Sequence, residues 1–413
     1  MRIRWTTKAL ALLVLLAGLV VPSAPALAKA RPALSAGSTI LVDARDGHVL
    51  YRRAADARRP IASTTKLMTA LLAVERLPLD RRVRAAPYHA MPAESQIELA
   101  PGERMSVADL LRAALLESAN DAAATLARAA AGSPRRFVKL MNRKARQLGL
   151  TETHYANPIG LDERGNYSSA RDLAALARVV LRNKFLAETV DMPRARLATG
   201  AHPRIVDNRN DLLERIPWVD GVKTGHTNRA GYVLVGAGSR KAATLVSAVL
   251  DTPSPAARDA DTLALLEWGF SQYRRTPALQ RGHVVAKAKV AWFGDRRVGL
   301  VPTRSVVLGL RRAEHLRTRV VAPGELHGPH DAGTRVGSVT VIVDGRPVST
   351  VPLVTAEAVP RAGLVRKVVQ IVVRPWLAVA ALVVGALAVE RRRRRLAAAD
   401  AARRRRRQAL RSD

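Results

Sequence analysis

Pro60-Ile61-Ala62-Ser63-Thr64-Thr65-Lys66-Leu67-Met68-Thr69-Ala70-Leu71-Leu72 joins a proline-led turn to an apolar run. The apolar positions recur at helical spacing over residues 63–75, which predicts a helix opening at Ser63. Ser63 and Lys66 stand three positions apart and so share one helix face. The first turn of a helix leaves N–H groups unpaired and carries the positive end of the dipole, a setting that favours a developing oxyanion. A serine hydroxyl is inert at its own pKa and needs a base. Lys66 can be that base only when neutral, a state that burial and a second nearby cation both promote.

Working outward, Ser118-Ala119-Asn120 closes the apolar run 110–116. Ser118 offers a hydroxyl that can relay a proton, and Asn120 a carboxamide that can orient Lys66 or a substrate amide; in isolation the pair reads equally well as caps between two helices. Lys223-Thr224-Gly225 falls where an alternating strand, 219–222, meets a turn. Lys223 supplies a fixed positive charge, Thr224 a hydroxyl for a carboxylate, and Gly225 room for a substrate backbone. Two of the chain's eleven lysines thus fall inside these three short motifs.

The surroundings have the texture of an α+β domain over residues 29–275. Strands at 39–42 and 48–51 flank Asp46-Gly47, a hairpin signal. Helical spacing covers 63–75, 106–131, 135–148 and 169–181, strands follow at 219–224, 231–236 and 243–250, and a further helix at 259–273. A sheet built from both ends of the segment, with a helical block inserted, is the expected arrangement. Helical periodicity then fades, and strands at 284–290, 306–310, 317–321, 336–343 and 348–353 predict a small all-β domain over 276–362.

The ends of the chain account for part of its formal net charge of +34. Arg2, Arg4 and Lys8 precede an apolar run, 9–21, and Ala26-Leu27-Ala28. This is the pattern of a signal peptide, 1–28, cleaved after Ala28, with an uncleaved anchor as the alternative. Residues 363–390 carry a second apolar run that reaches the thickness of about 30 Å of hydrocarbon if Arg374 snorkels outward. Eleven arginines against Glu390, Asp400 and Asp413 leave +8 on residues 390–413, so 391–413 is expected as a basic cytoplasmic tail; an interfacial helix is the alternative to a span. With +3 on the signal segment, +23 remains on residues 29–389. An exported domain does not meet chromosomal DNA, so no nucleic-acid partner is expected; the counter-charge is expected in an anionic wall or membrane surface, with a solvated, arginine-biased surface as an equal alternative. The absence of cysteine excludes thiol nucleophiles and thiolate metal sites, and the nine histidines lack ligand spacing, so neither a metal nor a cofactor is expected.

Taken in order, Ser63-x-x-Lys66, Ser118-x-Asn120 and Lys223-Thr224-Gly225 are the three motifs of penicillin-binding proteins and class A β-lactamases. Within that group the chain resembles the low-molecular-mass D-alanyl-D-alanine carboxypeptidases from residue 38 to about 363. Besides the stretch around Ser63, the resemblance rests on Glu117-Ser118-Ala119-Asn120-Asp121-Ala122, Asn157-Pro158-Ile159-Gly160-Leu161-Asp162, Tyr167-Ser168-Ser169-Ala170-Arg171-Asp172-Leu173, Asn208-Arg209-Asn210 and Asp220-Gly221-Val222-Lys223-Thr224-Gly225-His226-Thr227. It implies a transpeptidase-like domain, an all-β domain and a membrane helix. It further implies a serine peptidase that removes the terminal D-alanine from peptidoglycan stem peptides and is acylated by β-lactams. Ser63 is then the nucleophile and Lys66 its base, with Ser118 and Asn120 completing the catalytic set. Lys223, Thr224, Gly225, His226, Arg209 and Arg258 become the substrate-binding residues.

The sequence departs from the family pattern at Ala119, where glycine is frequent, and at 319–337, which is longer and richer in His, Gly and Pro. A β-lactamase or a D,D-endopeptidase is the alternative on the same motifs. Class A β-lactamases deacylate through a glutamate on a loop ahead of Lys-Thr-Gly, and neither Glu152 nor Glu163 lies in a match to that loop. Intact Ser63, Lys66, Ser118, Asn120 and Lys223 argue against a third reading, an inactive wall-binding protein.

Overall fold

A computed structural model describes residues 30–409; the expected signal peptide lies outside them. The first strand, Ser38–Asp43, is buried at every position, because its side chains alternate between two covered faces. Ile40 and Val42 pack with Leu67, Leu71, Leu173 and Leu176 of the inserted helices. Leu41 points the other way, to Leu265, Leu266 and Phe270 of the Pro255–Ser271 helix. The antiparallel sheet runs in the order Val49–Arg53, Ser38–Asp43, Ala243–Thr252, Gly231–Arg240, Val219–Thr227. Its middle strand pairs with the first strand of the chain, so the sheet is indeed assembled from both ends of the domain. Val219–Thr227, which carries Lys223, is an edge strand beside the turn that carries Ser63.

Short polar residues set the helix starts. Ser106, Ser133, Ser169, Asn183 and Ser254 each accept a hydrogen bond from the backbone N–H three residues on. Ser254-Pro255 starts the last helix of the domain at Pro255, four residues before the expected 259, because proline at the first helical position follows its cap. The expected helix over 106–131 is divided into Val107–Leu115 and Asn120–Ala131 by a turn in which Ser118 adopts φ +67°.

In the second domain Val339, Val341 and Val343 alternate into a small core with Val298, Leu300, Val351 and Leu353. Three strands escaped the sequence reading: Tyr273–Leu279, Arg297–Pro302, and Glu325–Leu326, which pairs in parallel with Ala286–Val290. The expected boundary at 275/276 falls inside a strand, Tyr273–Leu279, that pairs with Val306–Arg311. Beyond it, residues 364–399 form a helical run whose most apolar 18-residue window has a mean hydropathy of 2.1, by length and composition long enough to cross a membrane. The helix continues through Arg391–Arg395 as far as Ala409, since alanine, arginine and leucine are strong helix formers and no glycine or proline interrupts them.

The domains meet at an ion network. Arg311 of the second domain contacts Asp43 at 2.8 Å and Asp46 at 2.8 Å in the first, and Glu314 at 2.6 Å in its own. Arg45 pairs with Glu314, and the Tyr273 hydroxyl donates to Asp43 at 2.8 Å. Burial pushes the Asp46 carboxyl up, but hydrogen bonds from Arg311 and the His48 N–H, with the charges of Arg311 and Arg45, outweigh it and hold the group at about 2. Arg311→Met leaves three carboxylates facing one arginine and is expected to destabilise the full-length chain by about 3 kcal/mol at pH 7 in chemical denaturation. Because the native pKa of Asp46 is depressed from 3.8, its contribution is complete above that value and lost as pH falls toward 2. Wild type and variant should therefore converge across that window, and a constant difference would contradict the assignment.

Candidate active site

Ser63 lies in a short 3-10 turn, Ala62–Thr65, that runs directly into the Lys66–Arg76 helix. The turn is held by the Thr64 hydroxyl, which donates to the Ile61 carbonyl at 2.6 Å, and by Ala62 in the left-handed region at φ +46°. Such a conformation is sparsely populated for a residue with a Cβ and persists where surrounding packing enforces it. Lys66 Nζ lies 2.9 Å from Ser63 Oγ and donates to the Ile159 carbonyl at 2.7 Å. One turn later the Thr69 hydroxyl donates to the Pro158 carbonyl at 2.6 Å. The Asn157–Gly160 loop thus lies along the base of the serine turn. At Gly160, φ +96°, an added Cβ would sit 2.1 Å from the Ala62 carbonyl oxygen, so only glycine allows this approach.

Both motif lysines are sealed from water, with relative exposures of 0% for Lys66 and 2% for Lys223. Desolvation lowers the pKa of Lys66 well below the usual lysine value, and the charge of Lys223 lowers it further, while Glu94 and Asp121 oppose the shift. Lys223 is lowered to about 7, by burial first and then by Arg209 and Arg258, with Glu117 opposing. Its Nζ donates to the Thr224 carbonyl at 3.1 Å. The strand presses against the serine: a Cβ on Gly225 would stand 2.9 Å from the Ser63 nitrogen.

Ser118 and Asn120 flank the turn between the two helices, both buried. Asn120 Nδ2 donates to Glu94 at 2.7 Å, whereas the Ser118 hydroxyl carries no hydrogen bond among the described residues. Thr224 is buried and His226 is exposed, stacked on Tyr232 with ring centroids 4.0 Å apart. Arg209 pairs with Glu117, and Arg258 with Asp259 at 2.8 Å; both arginines act electrostatically on Lys223. Glu152 is engaged by Arg58 and Glu163 by Asn157. The residues missed by sequence reading are Glu94, Tyr88 and the carbonyls of Pro158 and Ile159. Backbone acceptors have no signature in sequence, and Glu94 lies in an aperiodic loop.

A family model described as D-alanyl-D-alanine carboxypeptidase matches residues 25–254, and one described as the C-terminal domain of penicillin-binding protein 5 matches residues 273–361. The chain is 31% identical over 339 residues to D-alanyl-D-alanine carboxypeptidase DacF of Bacillus subtilis, covering 80% of this chain and 87% of that protein. It is 33% identical over 354 residues to D-alanyl-D-alanine carboxypeptidase DacA of Escherichia coli, covering 82% and 87%. The crystal structure of penicillin-binding protein 5 from Haemophilus influenzae superposes with a TM-score of 0.57 at 27% identity, over 80% of this chain and 98% of that one.

The contact between Gly225 and the serine turn is open to test. Gly225→Val forces the strand and the serine apart, and a displacement of this size is expected to slow covalent labelling of the full-length protein by a fluorescent penicillin on the order of 100-fold. Circular dichroism should show the fold retained, and an unchanged labelling rate would refute the contact.

Proposed function

The chain belongs to the D-alanyl-D-alanine carboxypeptidase family, and from that membership we propose how its own side chains carry the reaction. It is a serine-type carboxypeptidase of penicillin-binding-protein-5 type that acts on peptidoglycan. The observation that carries the residue assignment is the 2.9 Å approach of Lys66 Nζ to Ser63 Oγ, with the lysine sealed from water beside a second cation.

On this reading Ser63 Oγ attacks the carbonyl carbon between the two terminal D-alanines of a stem pentapeptide, and its proton passes to neutral Lys66. The oxyanion is received by the backbone N–H of Ser63 and one beside His226 on the adjoining edge strand. Ser118 hands its proton to the departing D-alanine nitrogen as the C–N bond breaks and takes in turn the proton held by Lys66, leaving Lys66 neutral again and the acyl group on Ser63. Water then cleaves the ester and regenerates the serine. Lys223, Thr224 and Arg209 hold the terminal carboxylate, with Arg258 reinforcing the positive field; Gly225 admits the substrate backbone. β-Lactams acylate the same serine. We further place the two folded domains outside the cell membrane, held by the C-terminal apolar helix, with the arginine-rich end in the cytoplasm.

Full-length protein in detergent, assayed with a peptide ending in D-Ala-D-Ala, should release D-alanine and take up fluorescent penicillin, and Ser63→Ala should do neither. Label on the variant, or rapid penicillin turnover without D-alanine release, would overturn the assignment. The pH profile gives a second check. Lys223 must be charged to hold the carboxylate and is held near 7 in the free enzyme, so kcat/KM should fall as pH rises past about 7. A bound anion raises the pKa of Lys223, so the corresponding fall in kcat should lie at higher pH. Coincident limbs would exclude Lys223 as the carboxylate ligand.

A further inference from the structure

We infer that Glu94 is a positioning residue of the reaction, fixing the orientation of the Asn120 amide and supplying a counter-charge to Lys66. The inference rests on the assignment of Ser63, Lys66 and Asn120 above, but its evidence is separate: a carboxylate in a loop outside all three motifs, tied to the first turn of the helix that carries Asn120.

The tie is made several times. Asn120 N–H donates to the Ser95 carbonyl at 2.8 Å. The Asp121 carboxylate accepts from the backbone N–H of Ile97 at 3.2 Å and of Leu99 at 3.0 Å. Glu94 is thereby held so that Oε2 accepts from Asn120 Nδ2 at 2.7 Å and from the Tyr88 hydroxyl, while Oε1 accepts from Met91 N–H at 3.1 Å. Burial, the bond to Glu94 and its charge keep the Tyr88 phenol protonated, so it acts as the donor. Burial raises the Glu94 carboxyl, but the bonds from Tyr88, Asn120 and Met91 and the charge of Lys66 lower it below the usual glutamate value, so it is ionised at neutral pH.

An ionised carboxylate only accepts hydrogen bonds, and a carboxamide has a donor end and an acceptor end. Glu94 therefore dictates which way the Asn120 amide faces. Nδ2 turns to the carboxylate, with the Tyr88 oxygen also within its reach, and Oδ1 is left on the opposite side of the amide. Without the charge, the two ends of the amide become nearly interchangeable. The groups acting on Lys66 are Lys223 from the edge strand, Glu94 from the loop and Asp121 from the Asn120–Ala131 helix, together with the neutral Ser63 hydroxyl and Ile159 carbonyl. Removing Glu94 takes away negative charge, so Lys66 becomes neutral at lower pH.

The test compares Glu94→Gln, Glu94→Asp and Tyr88→Phe in the full-length enzyme, using D-alanine release across pH and the rate of penicillin acylation. Glu94→Gln should lower kcat/KM on its plateau roughly tenfold, the scale of a lost charge-assisted hydrogen bond, and move the acid limb to lower pH. Glu94→Asp, which keeps the charge, should return the acid limb to its wild-type position. Tyr88→Phe should reduce kcat/KM roughly threefold with the limb unmoved, and it carries the test if a Glu94 variant fails to fold. Every folded variant should still label fully with penicillin given time, which Ser63→Ala does not; loss of that label would fault the catalytic assignment rather than this one. An acid limb that stays in place in Glu94→Gln, or slowed deacylation with acylation unchanged, would overturn the role given to Glu94.

Discussion

Two lysines sealed from water in one cleft are the constraint around which this enzyme is organised. A buried ammonium ion is expensive, and two that sense each other are more so. The protein supplies only partial relief through Glu94, Asp121 and Glu117, which oppose the depression of the two pKa values without cancelling it. The fold is thus arranged so that its two central cations are easily deprotonated. In a structural ion pair that would be a defect, whereas in a site needing a neutral amine beside a serine it is the requirement.

Holding such an arrangement takes backbone that would not persist elsewhere. Ala62 and Ser118 both adopt positive φ, at +46° and +67°, and each is the residue next to, or at, a hydroxyl to which the proposed mechanism gives a part. They are fixed by different means. Ala62 is pressed between Gly160 on one side and Gly225 on the other, while the turn containing Ser118 is braced by the Ser95 carbonyl on Asn120 N–H. The sheet contributes an edge strand whose inner partner is long and fully paired, so it can lean on the serine turn without being displaced. The network around Arg311 acts further away, anchoring the first strands of the sheet to the second domain.

The parts of this arrangement visible in sequence are those written in side chains with a period or a fixed spacing. The hairpin at Asp46-Gly47, the alternation of Val339, Val341 and Val343, and the three-residue step from Ser63 to Lys66 all follow from local geometry. What escaped was contact made by backbone or by aperiodic loops. The carbonyls of Pro158 and Ile159 have no residue signature, and Glu94 is one carboxylate in a stretch without pattern; its role arises only when the chain folds it onto Asn120. The short parallel strand Glu325–Leu326 escaped for a related reason, since two residues carry no period. The helix start at Pro255 was available in Ser254-Pro255, but the apolar periodicity that began later outweighed the cap.

Coupling between the two lysines also explains why such a site should act on a free C-terminus. The charge of Lys223 disfavours a proton on Lys66, so whatever steadies the charge on Lys223 also favours the neutral form of Lys66. On the assignment proposed above, a substrate carboxylate lying against Lys223 would stabilise charge there and favour Lys66 as the neutral partner. On that assignment the bound anion would do more than locate the substrate: by holding the charge on Lys223 it would help keep Lys66 neutral. A peptide without the terminal carboxylate would then lose both the contact and that bias, and the loss would fall on the acylation step itself. Of the +34 that dominates the composition, the charges that bear on the buried lysines are few: Lys223, Glu94 and Asp121 on Lys66, and Arg209, Arg258 and Glu117 on Lys223.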